Sequence, residues 1–129
     1  MSVKKQAFWF LAVGATAALV HFLILVICVQ YFSIMPARAN IIAFLFAFLV
    51  SFGGHFSLTF SDSTQRAHWL SSFIKWFVSS IGGFLLNQML FMIGLNWFGN
   101  HLYAVIWFIV TLLVTILTFA LGKLWAFKG

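Results

Sequence analysis

Apolar residues fill four long stretches of this chain, and short polar segments separate them. The stretches cover about residues 7–32, 41–60, 73–98 and 102–127. Each is at least as long as the ~20 residues that a helix needs to cross the hydrocarbon core of a bilayer. Helices are expected because lipid cannot satisfy backbone hydrogen bonds, and the alternating pattern of a membrane barrel is absent. The pattern therefore predicts an all-α integral membrane protein, with four transmembrane helices in a single domain of residues 1–129.

The composition agrees with lipid as the solvent. The chain has 129 residues, of which 64% are hydrophobic and 6% are charged, whereas soluble domains carry ~25% charged residues. The first apolar stretch follows Lys4 and Lys5, but it is too long for a signal peptide, so a retained span is expected. The net charge of +6 comes from cations at the ends of apolar stretches, which indicates membrane anchoring and no nucleic-acid partner.

The distribution of Lys and Arg predicts the orientation. One side of the membrane is expected to carry Lys4, Lys5, Arg66, Lys75, Lys123 and Lys128. Arg38 stands alone on the other side. Because cytoplasmic segments carry an excess of Lys and Arg, both termini and segment 61–72 are expected in the cytoplasm. Most of the six tryptophans are expected near the two interfaces, as an aromatic belt.

Two parts of the chain repeat each other. Ser51–Phe60 reads SFGGHFSLTF and Thr118–Phe127 reads TFALGKLWAF, each opening on a hydroxyl residue before Phe and closing on Phe. Matching trios precede them: Gly14, Ala17 and His21, and then Ser80, Gly83 and Asn87. Each trio shares one helical face, and its small residues are expected to let helices approach closely. The fold is therefore predicted as two parallel-repeat helical hairpins, residues 7–60 and 73–127, related by a pseudo-two-fold axis along the membrane normal.

A few polar side chains interrupt the apolar stretches. His21 and Asn87 fall near mid-depth, and His55 lies nearer the cytoplasmic end of its stretch. Gln88 neighbours Asn87, and Asn40 sits at the outer start of the second stretch. Because polar groups are costly in hydrocarbon, they are expected to face a partner or a wet cavity. Asn87 has two open interpretations, joining helices or lining a path, whereas the threonines of the last stretch are interpreted as bonding their own backbone.

Several chemistries are excluded by residues that the chain lacks. No Asp or Glu falls within a span, which argues against a proton-coupled exporter. The sequence has no Walker motif, no Cys/His spacing for zinc, no pair of carboxylates and no Ser-His-acid set. We therefore expect no enzyme, no metal and no cofactor. The remaining imidazole, amide, hydroxyl and cationic groups suit an anion such as a phosphate.

One further set of motifs spans essentially the whole chain. Its residues are Phe10, Gly14, His21, Ala39, Asn40 and Asn87, with Phe52, Phe60, Phe119, Lys123, Trp125 and Phe127 in the two repeated endings. This combination resembles the GtrA-like family of small four-span bacterial membrane proteins. The first ending departs from the family pattern, because His55 stands where an amide or hydroxyl is usual and no cation adjoins it.

The resemblance implies a transport function. Such proteins flip a polyisoprenyl-phosphate-linked sugar across the bacterial inner membrane, where the sugar is added to cell-surface polysaccharide. The resemblance also implies a membrane glycosyltransferase as partner, and the prenyl tail is expected to stay in the membrane lipid. Four helices form a thin wall, so a homodimer is expected to be needed for the path. Transport is expected to be passive because no coupling carboxylate is present.

This function divides the polar residues into two groups. Lys75, Lys123 and His55, near the cytoplasmic face, are expected to recruit the phosphate, although both lysines would serve equally well as interface anchors. His21 and Asn87 are expected to accompany the head through the midplane. The full set of candidate substrate-binding residues is His21, Arg38, Asn40, His55, Lys75, Asn87, Gln88, Lys123 and Trp125.

Two alternative functions remain open at the level of sequence. One is a non-transporting membrane scaffold for a polyprenyl-phosphate glycosyltransferase. The other is a small multidrug-type exporter, which has a similar length and number of spans. The lack of a carboxylate within the spans disfavours the exporter.

Overall fold

The computed structural model describes residues 3–54, 56–57 and 69–121 of the chain. The helices are α1 (Val3–Tyr31), α2 (Pro36–Gly54), α3 (Trp69–Phe98) and α4 (Tyr103–Leu121), and a 3-10 turn (Asn100–Leu102) joins the last two. No strand occurs in these described ranges. The prediction of an all-α fold is confirmed.

The helices are long and apolar enough to cross a membrane. The candidate spans are Ala7–Tyr31, Pro36–Gly54, Ser80–Phe98 and Asn100–Leu117. Large apolar side chains cover the outside of the bundle, such as Leu11, which is 71% exposed, and Val78, which is 64% exposed. Such a surface is stable when lipid surrounds it. The chain is therefore a multi-pass membrane protein, as predicted.

The connection from α1 to α2 is shorter than the expected loop of residues 33–40. α2 begins at Pro36, because proline has no N–H to satisfy and its fixed φ suits the first helical turn. Ser33 takes a φ of 54°, and the Ile34 N–H donates to the Cys28 carbonyl at 3.0 Å. The chain thus folds back along α1. The fold-back brings the second turn of α2, with Asn40, level with the middle of α1.

The connection from α3 to α4 turns on Gly99. Its φ of 98° is a conformation that favours glycine. The Gly99 N–H donates to the Leu95 carbonyl at 2.8 Å and so closes the end of α3. This connection and the one between α1 and α2 lie at one end of the bundle, which we call the short-loop end. The other end, where residues 55–68 join α2 to α3, is the long-loop end.

The helices pack as two antiparallel pairs. α1 packs mainly on α2, α3 packs on α4, and α2 joins the pairs by packing on α3. The proposed rotation between the two hairpins stays a prediction.

The hydrophobic core lies in the short-loop half of the bundle. It comprises Leu25, Cys28, Ala39, Ala43, Phe91, Leu95, Tyr103, Ile106, Trp107 and Val110. These residues come from the last turns of α1 and α3 and the first turns of α2 and α4. Cys28 is buried there as a small apolar side chain.

Phenylalanines join α2 to α3 toward the long-loop end. The rings of Phe44 and Phe84 stack with their centroids 4.2 Å apart. Phe77 meets Phe48 edge-on at 5.1 Å. Such aromatic pairs contribute ~0.5–1.5 kcal/mol each beyond the area that they bury. In this half of the bundle, the structure therefore holds α2 against α3 by ring contacts.

Candidate functional site

Polar side chains from all four helices meet inside the bundle. His21 Nε2 lies 2.7 Å from Asn40 Oδ1. Asn40 Nδ2 donates to Asn87 Oδ1 at 3.2 Å and to Gln88 Oε1 at 2.7 Å. Asn87 Nδ2 lies 3.5 Å from Thr111 Oγ1, a long hydrogen bond. We call these five residues the polar cluster.

Two residues of the polar cluster lie in the middle part of their helices. His21 is ten residues from the end of α1, and Asn87 is eleven from the end of α3. At a rise of ~1.5 Å per residue these positions are about 15–16 Å from the short-loop end of each helix. Half the thickness of a ~30 Å hydrocarbon core is about the same distance.

Hydrogen-bond chemistry determines the direction of this network. Asn40 Nδ2 donates both of its hydrogen atoms, to Asn87 and to Gln88. Asn40 Oδ1 can only accept, so His21 Nε2 must carry the proton in the bond between them. The other imidazole nitrogen, Nδ1, takes no part in the network.

Asn40 and Gln88 have structural roles in the polar cluster. Asn40 is 0% exposed, and all of its amide hydrogen-bonding groups are engaged. Gln88 accepts from Asn40 and donates from Nε2 to the Ala37 carbonyl at 2.9 Å. A buried polar group left without a partner costs ~1–3 kcal/mol, so this mutual satisfaction is needed for the fold.

A groove opens from the polar cluster toward the long-loop end. It has a volume of about 230 Å³. Its lining residues are Ala17, Ala18, His21, Phe44, Ala47, Phe48, Ser51, Ser80, Asn87, Trp107 and Thr111. All four helices contribute, and Ser51 and Ser80 mark its extent beyond the polar cluster. The bundle therefore has a tightly packed core at one end and, beside it, a small groove whose floor is the polar cluster.

Trp107 forms one wall of this groove. Its ring centroid lies 5.1 Å from that of His21 and 5.4 Å from that of Phe22. The side chain is 5% exposed, so it belongs to the interior and not to the expected interfacial belt. Among the side chains that the structure describes, its Nε1 is the buried polar atom without a hydrogen-bond partner. Such atoms are rare in native proteins and require an explanation.

A second contact joins α1 to α4 nearer the short-loop end. Gln30 Nε2 donates to Tyr103 Oη at 2.9 Å. We call this pair the α1–α4 clasp. Neither residue was among the candidates from the sequence. The clasp and the His21–Trp107 stack connect helices that are far apart in sequence.

The structure brings four of the candidate residues together, namely His21, Asn40, Asn87 and Gln88. Arg38 is exposed near the start of α2 and does not line the groove. Lys75 lies in α3, but its side chain is outside the described part. His55, Lys123 and Trp125 are also outside the described residues.

The small residues of the two trios do not act as expected. A methyl group added at Gly14 or Gly83 would meet no neighbouring atom within 4 Å, so these glycines do not mediate close helix contact. Close approach occurs instead at Gly94, where an added Cβ would lie 2.6 Å from the Ile106 side chain, and at Gly54, where it would lie 2.7 Å from the Val13 side chain. Ala17 and Ser80 line the groove instead. The small residues therefore leave space in this structure.

Thr111 and Trp107 are groove residues that sequence reasoning missed. Thr111 belongs to a threonine series interpreted as structural, and that interpretation holds for Thr115, whose hydroxyl donates to the Thr111 carbonyl at 2.7 Å. A signal for Trp107 was present in the repeat. Ser51 and Thr118, which open the two repeated endings, are 67 residues apart. The same offset relates Asn40 to Trp107, so Trp107 occupies the position in the second half that Asn40 has in the first.

A second, more open cavity lies at the short-loop end. It has a volume of about 640 Å³ and is lined by Ala37, Met92, Ile93, Leu95, Asn96, Gly99 and Asn100. None of the polar-cluster residues lines it. No group of three or more potential metal ligands occurs among the residues that the structure describes.

Comparison with known proteins places this architecture in a family. The family model described as GtrA/DPMS, transmembrane domain, matches residues 9–127. No curated protein and no solved structure matches the chain. This family is associated with the handling or translocation of lipid-linked sugars, and its GtrA-like members are in general not catalysts. The four apolar helices around a buried polar cluster thus belong to a member of the GtrA/DPMS transmembrane-domain family.

Proposed function

We propose that the protein flips a polyisoprenyl-phosphate-linked sugar across the bacterial cytoplasmic membrane, for addition to cell-surface polysaccharide. The observation that carries this proposal is the groove inside the helical bundle, with the polar cluster as its floor. A lipid-linked sugar has a polar head that must cross ~30 Å of hydrocarbon. Its prenyl tail requires only an apolar surface, which the outside of the bundle provides.

The groove would lower the cost of moving the polar head. Leaving one hydroxyl without a partner in an apolar medium costs ~2–7 kcal/mol. Ser51, Ser80 and Thr111 offer hydroxyls along the groove, and His21 and Asn87 offer an imidazole and an amide. These groups would replace water around the head step by step.

Transport is proposed to run down the substrate gradient. The single acidic residue of the sequence, Asp62, lies between the second and third apolar stretches. Ion-coupled transporters use ionisable groups within the membrane, most often carboxylates. A glycosyltransferase that makes the lipid-linked sugar on one side, and another that consumes it on the other, would maintain the gradient. A homodimer and a membrane glycosyltransferase remain the proposed partners.

The test uses purified protein in liposomes that contain short-chain prenyl-phosphate sugars. Wild-type protein should move the sugar lipid between leaflets faster than protein-free liposomes do. His21→Ala and Asn87→Ala should slow this movement about tenfold per folded molecule, as expected for losing one hydrogen bond at the barrier. Asn96→Ala, which removes an exposed amide from the same helix as Asn87, is the matched control.

Two results would contradict the proposal. If wild-type liposomes move the sugar lipid no faster than protein-free ones, the chain does not transport it. If such an inactive protein still purifies together with a membrane glycosyltransferase, the scaffold function is favoured instead. Unchanged transport in both His21→Ala and Asn87→Ala would show that the head takes another path.

A further inference from the structure

The hydrogen bonds of the polar cluster divide its polar groups into two sets. Asn40 uses Oδ1 for His21 and both Nδ2 hydrogens for Asn87 and Gln88. Gln88 uses both ends of its amide, for Asn40 and for the Ala37 carbonyl. Asn40 is fully buried, and neither Asn40 nor Gln88 lines the groove. They hold the helices in place and do not supply contacts to a ligand.

Other groups keep hydrogen-bonding capacity and line the groove. Thr111 Oγ1 meets Asn87 Nδ2 at 3.5 Å as an acceptor, so its own hydroxyl proton can be given to another group. Trp107 Nε1 is a donor that is buried without a partner. His21 Nδ1 lies outside the network. These three groups come from α1 and α4, and all three residues line the same groove.

The polar groups of the groove carry no fixed charge. Its described polar lining is His21, Ser51, Ser80, Asn87, Trp107 and Thr111. Phosphate groups are recognised in proteins by Arg or Lys side chains, or by backbone N–H groups at the start of a helix. The described lining has no Lys or Arg, and each of its residues lies at least four positions after the first residue of its helix. A phosphate would therefore be poorly stabilised here.

A sugar ring fits this lining better. Its hydroxyls need neutral donors and acceptors, and its carbon-bound hydrogens need apolar contact. Phe44, Phe48 and Ala17 provide apolar walls beside the polar groups. The volume of about 230 Å³ is below the ~300–1,000 Å³ of sites for drug-sized ligands. The described groove has room for one monosaccharide.

We infer, building on the proposed function, that the groove is a binding site for the uncharged monosaccharide of the lipid-linked substrate. Thr111 Oγ1 contacts a sugar hydroxyl directly. Trp107 Nε1 donates to a second sugar oxygen once the ligand has displaced a neighbouring side chain. The phosphate stays outside the groove. The groove thereby distinguishes a sugar-bearing prenyl phosphate from the same prenyl phosphate without its sugar.

The experiment measures binding separately from transport. The probes are short-chain prenyl phosphates that carry a hexose, a pentose or an N-acetylhexosamine, and the same prenyl phosphate without a sugar. Affinity is obtained from the thermal stabilisation of the detergent-purified protein as ligand is added. At least one sugar-bearing probe should bind the wild type more tightly than the bare prenyl phosphate.

Thr111→Val removes the hydroxyl and keeps a similar shape. It should reduce the affinity for the preferred sugar probe about two- to tenfold, the usual range for one hydrogen bond, and leave the bare prenyl phosphate unaffected. Thr115→Val is the matched control, because that hydroxyl bonds its own helix and is exposed. Trp107→Phe should act like Thr111→Val. In each variant, the affinity for the sugar probe is divided by the affinity for the bare prenyl phosphate, so that any general loss of stability cancels.

The outcomes separate this inference from the proposed function. If Thr111→Val and Trp107→Phe weaken the binding of both ligands equally, the groove does not recognise the sugar, although flipping can still occur. If no sugar-bearing probe binds more tightly than the bare prenyl phosphate, the inference is also overturned. If the sugar preference and its loss in Thr111→Val are seen without flipping in liposomes, the binding site stands and the transport function fails.

Discussion

At the scale of single residues, Asn40 determines the geometry of the site. Its amide accepts from His21 on α1 and donates to Asn87 and Gln88 on α3. One side chain therefore ties together three helices. The groove residues His21 and Asn87 owe their positions to it, so its effect on function is indirect. Its own surface is 0% exposed and cannot touch a substrate.

Asn40→Ala should lower the stability of the protein markedly. Hydrogen bonds between membrane helices contribute ~0.6 kcal/mol each on average, so losing three should cost about 2 kcal/mol. The measurement is the thermal midpoint of unfolding in detergent. Asn96→Ala removes an exposed amide from α3 and should leave the midpoint nearly unchanged. Equal midpoints for the two variants would show that the buried network does not stabilise the fold.

Sequence reasoning identifies the polar cluster only in part. His21, Asn87 and Gln88 stand out because polar side chains are rare in apolar stretches. The central position of Asn40 depends on how far the first connection folds back, and the sequence pattern does not contain that distance. Thr111 and Trp107 look like ordinary membrane residues until their neighbours are known. Tertiary contact therefore assigns roles that residue type alone cannot.

At the scale of helices, packing differs between the two ends of the bundle. At the short-loop end, the core and the α1–α4 clasp bring all four helices together. Farther along, Phe44 and Phe48 attach α2 to Phe84 and Phe77 of α3. The groove lies in this second region. The structure is thus closed beyond the polar cluster at the short-loop end, and a head moving past the cluster would require that end to open.

Cross-linking the α1–α4 clasp should stop transport. Gln30→Cys and Tyr103→Cys, joined by a short reducible bis-thiosulfonate in a Cys28→Ser background, would prevent α1 and α4 from separating. Transport in liposomes should fall to the protein-free rate and return after reduction. The control pair, Phe32→Cys and Met35→Cys, lies within the α1–α2 connection and should leave transport unchanged. Full transport by the cross-linked clasp would show that this end does not open.

The helix boundaries show where sequence patterns succeed and where they do not. The end of α3 at Phe98 agrees with the expected span, because Gly99 marks it clearly. The start of α2 does not agree, because Pro36 and Arg38 suggested a loop, whereas proline at the first helical turn is a start signal. Apolar character locates a span, but local backbone chemistry determines where its helix begins.

At the scale of the whole molecule, the two ends of the bundle also differ in charge. Of the Lys and Arg residues within the described ranges, Arg38 alone belongs to the short-loop end. The other six Lys and Arg residues of the sequence lie near the termini or around the segment that joins α2 to α3. Positive residues favour the cytoplasmic side. The short-loop end is therefore proposed to face away from the cytoplasm, and the groove would extend toward the cytoplasmic side, where lipid-linked sugars are made.

This orientation predicts opposite labelling of two engineered cysteines. In a Cys28→Ser background, Ser33→Cys lies in the exposed α1–α2 connection, and an impermeant thiol reagent should label it in intact cells. Ser2→Cys should be protected until the membrane is permeabilised, because Lys4 and Lys5 favour the cytoplasmic side for that terminus. Labelling of both sites in permeabilised cells is the control for reactivity. The reverse pattern in intact cells would place the groove on the outer side, and substrate would then have to enter past the clasp.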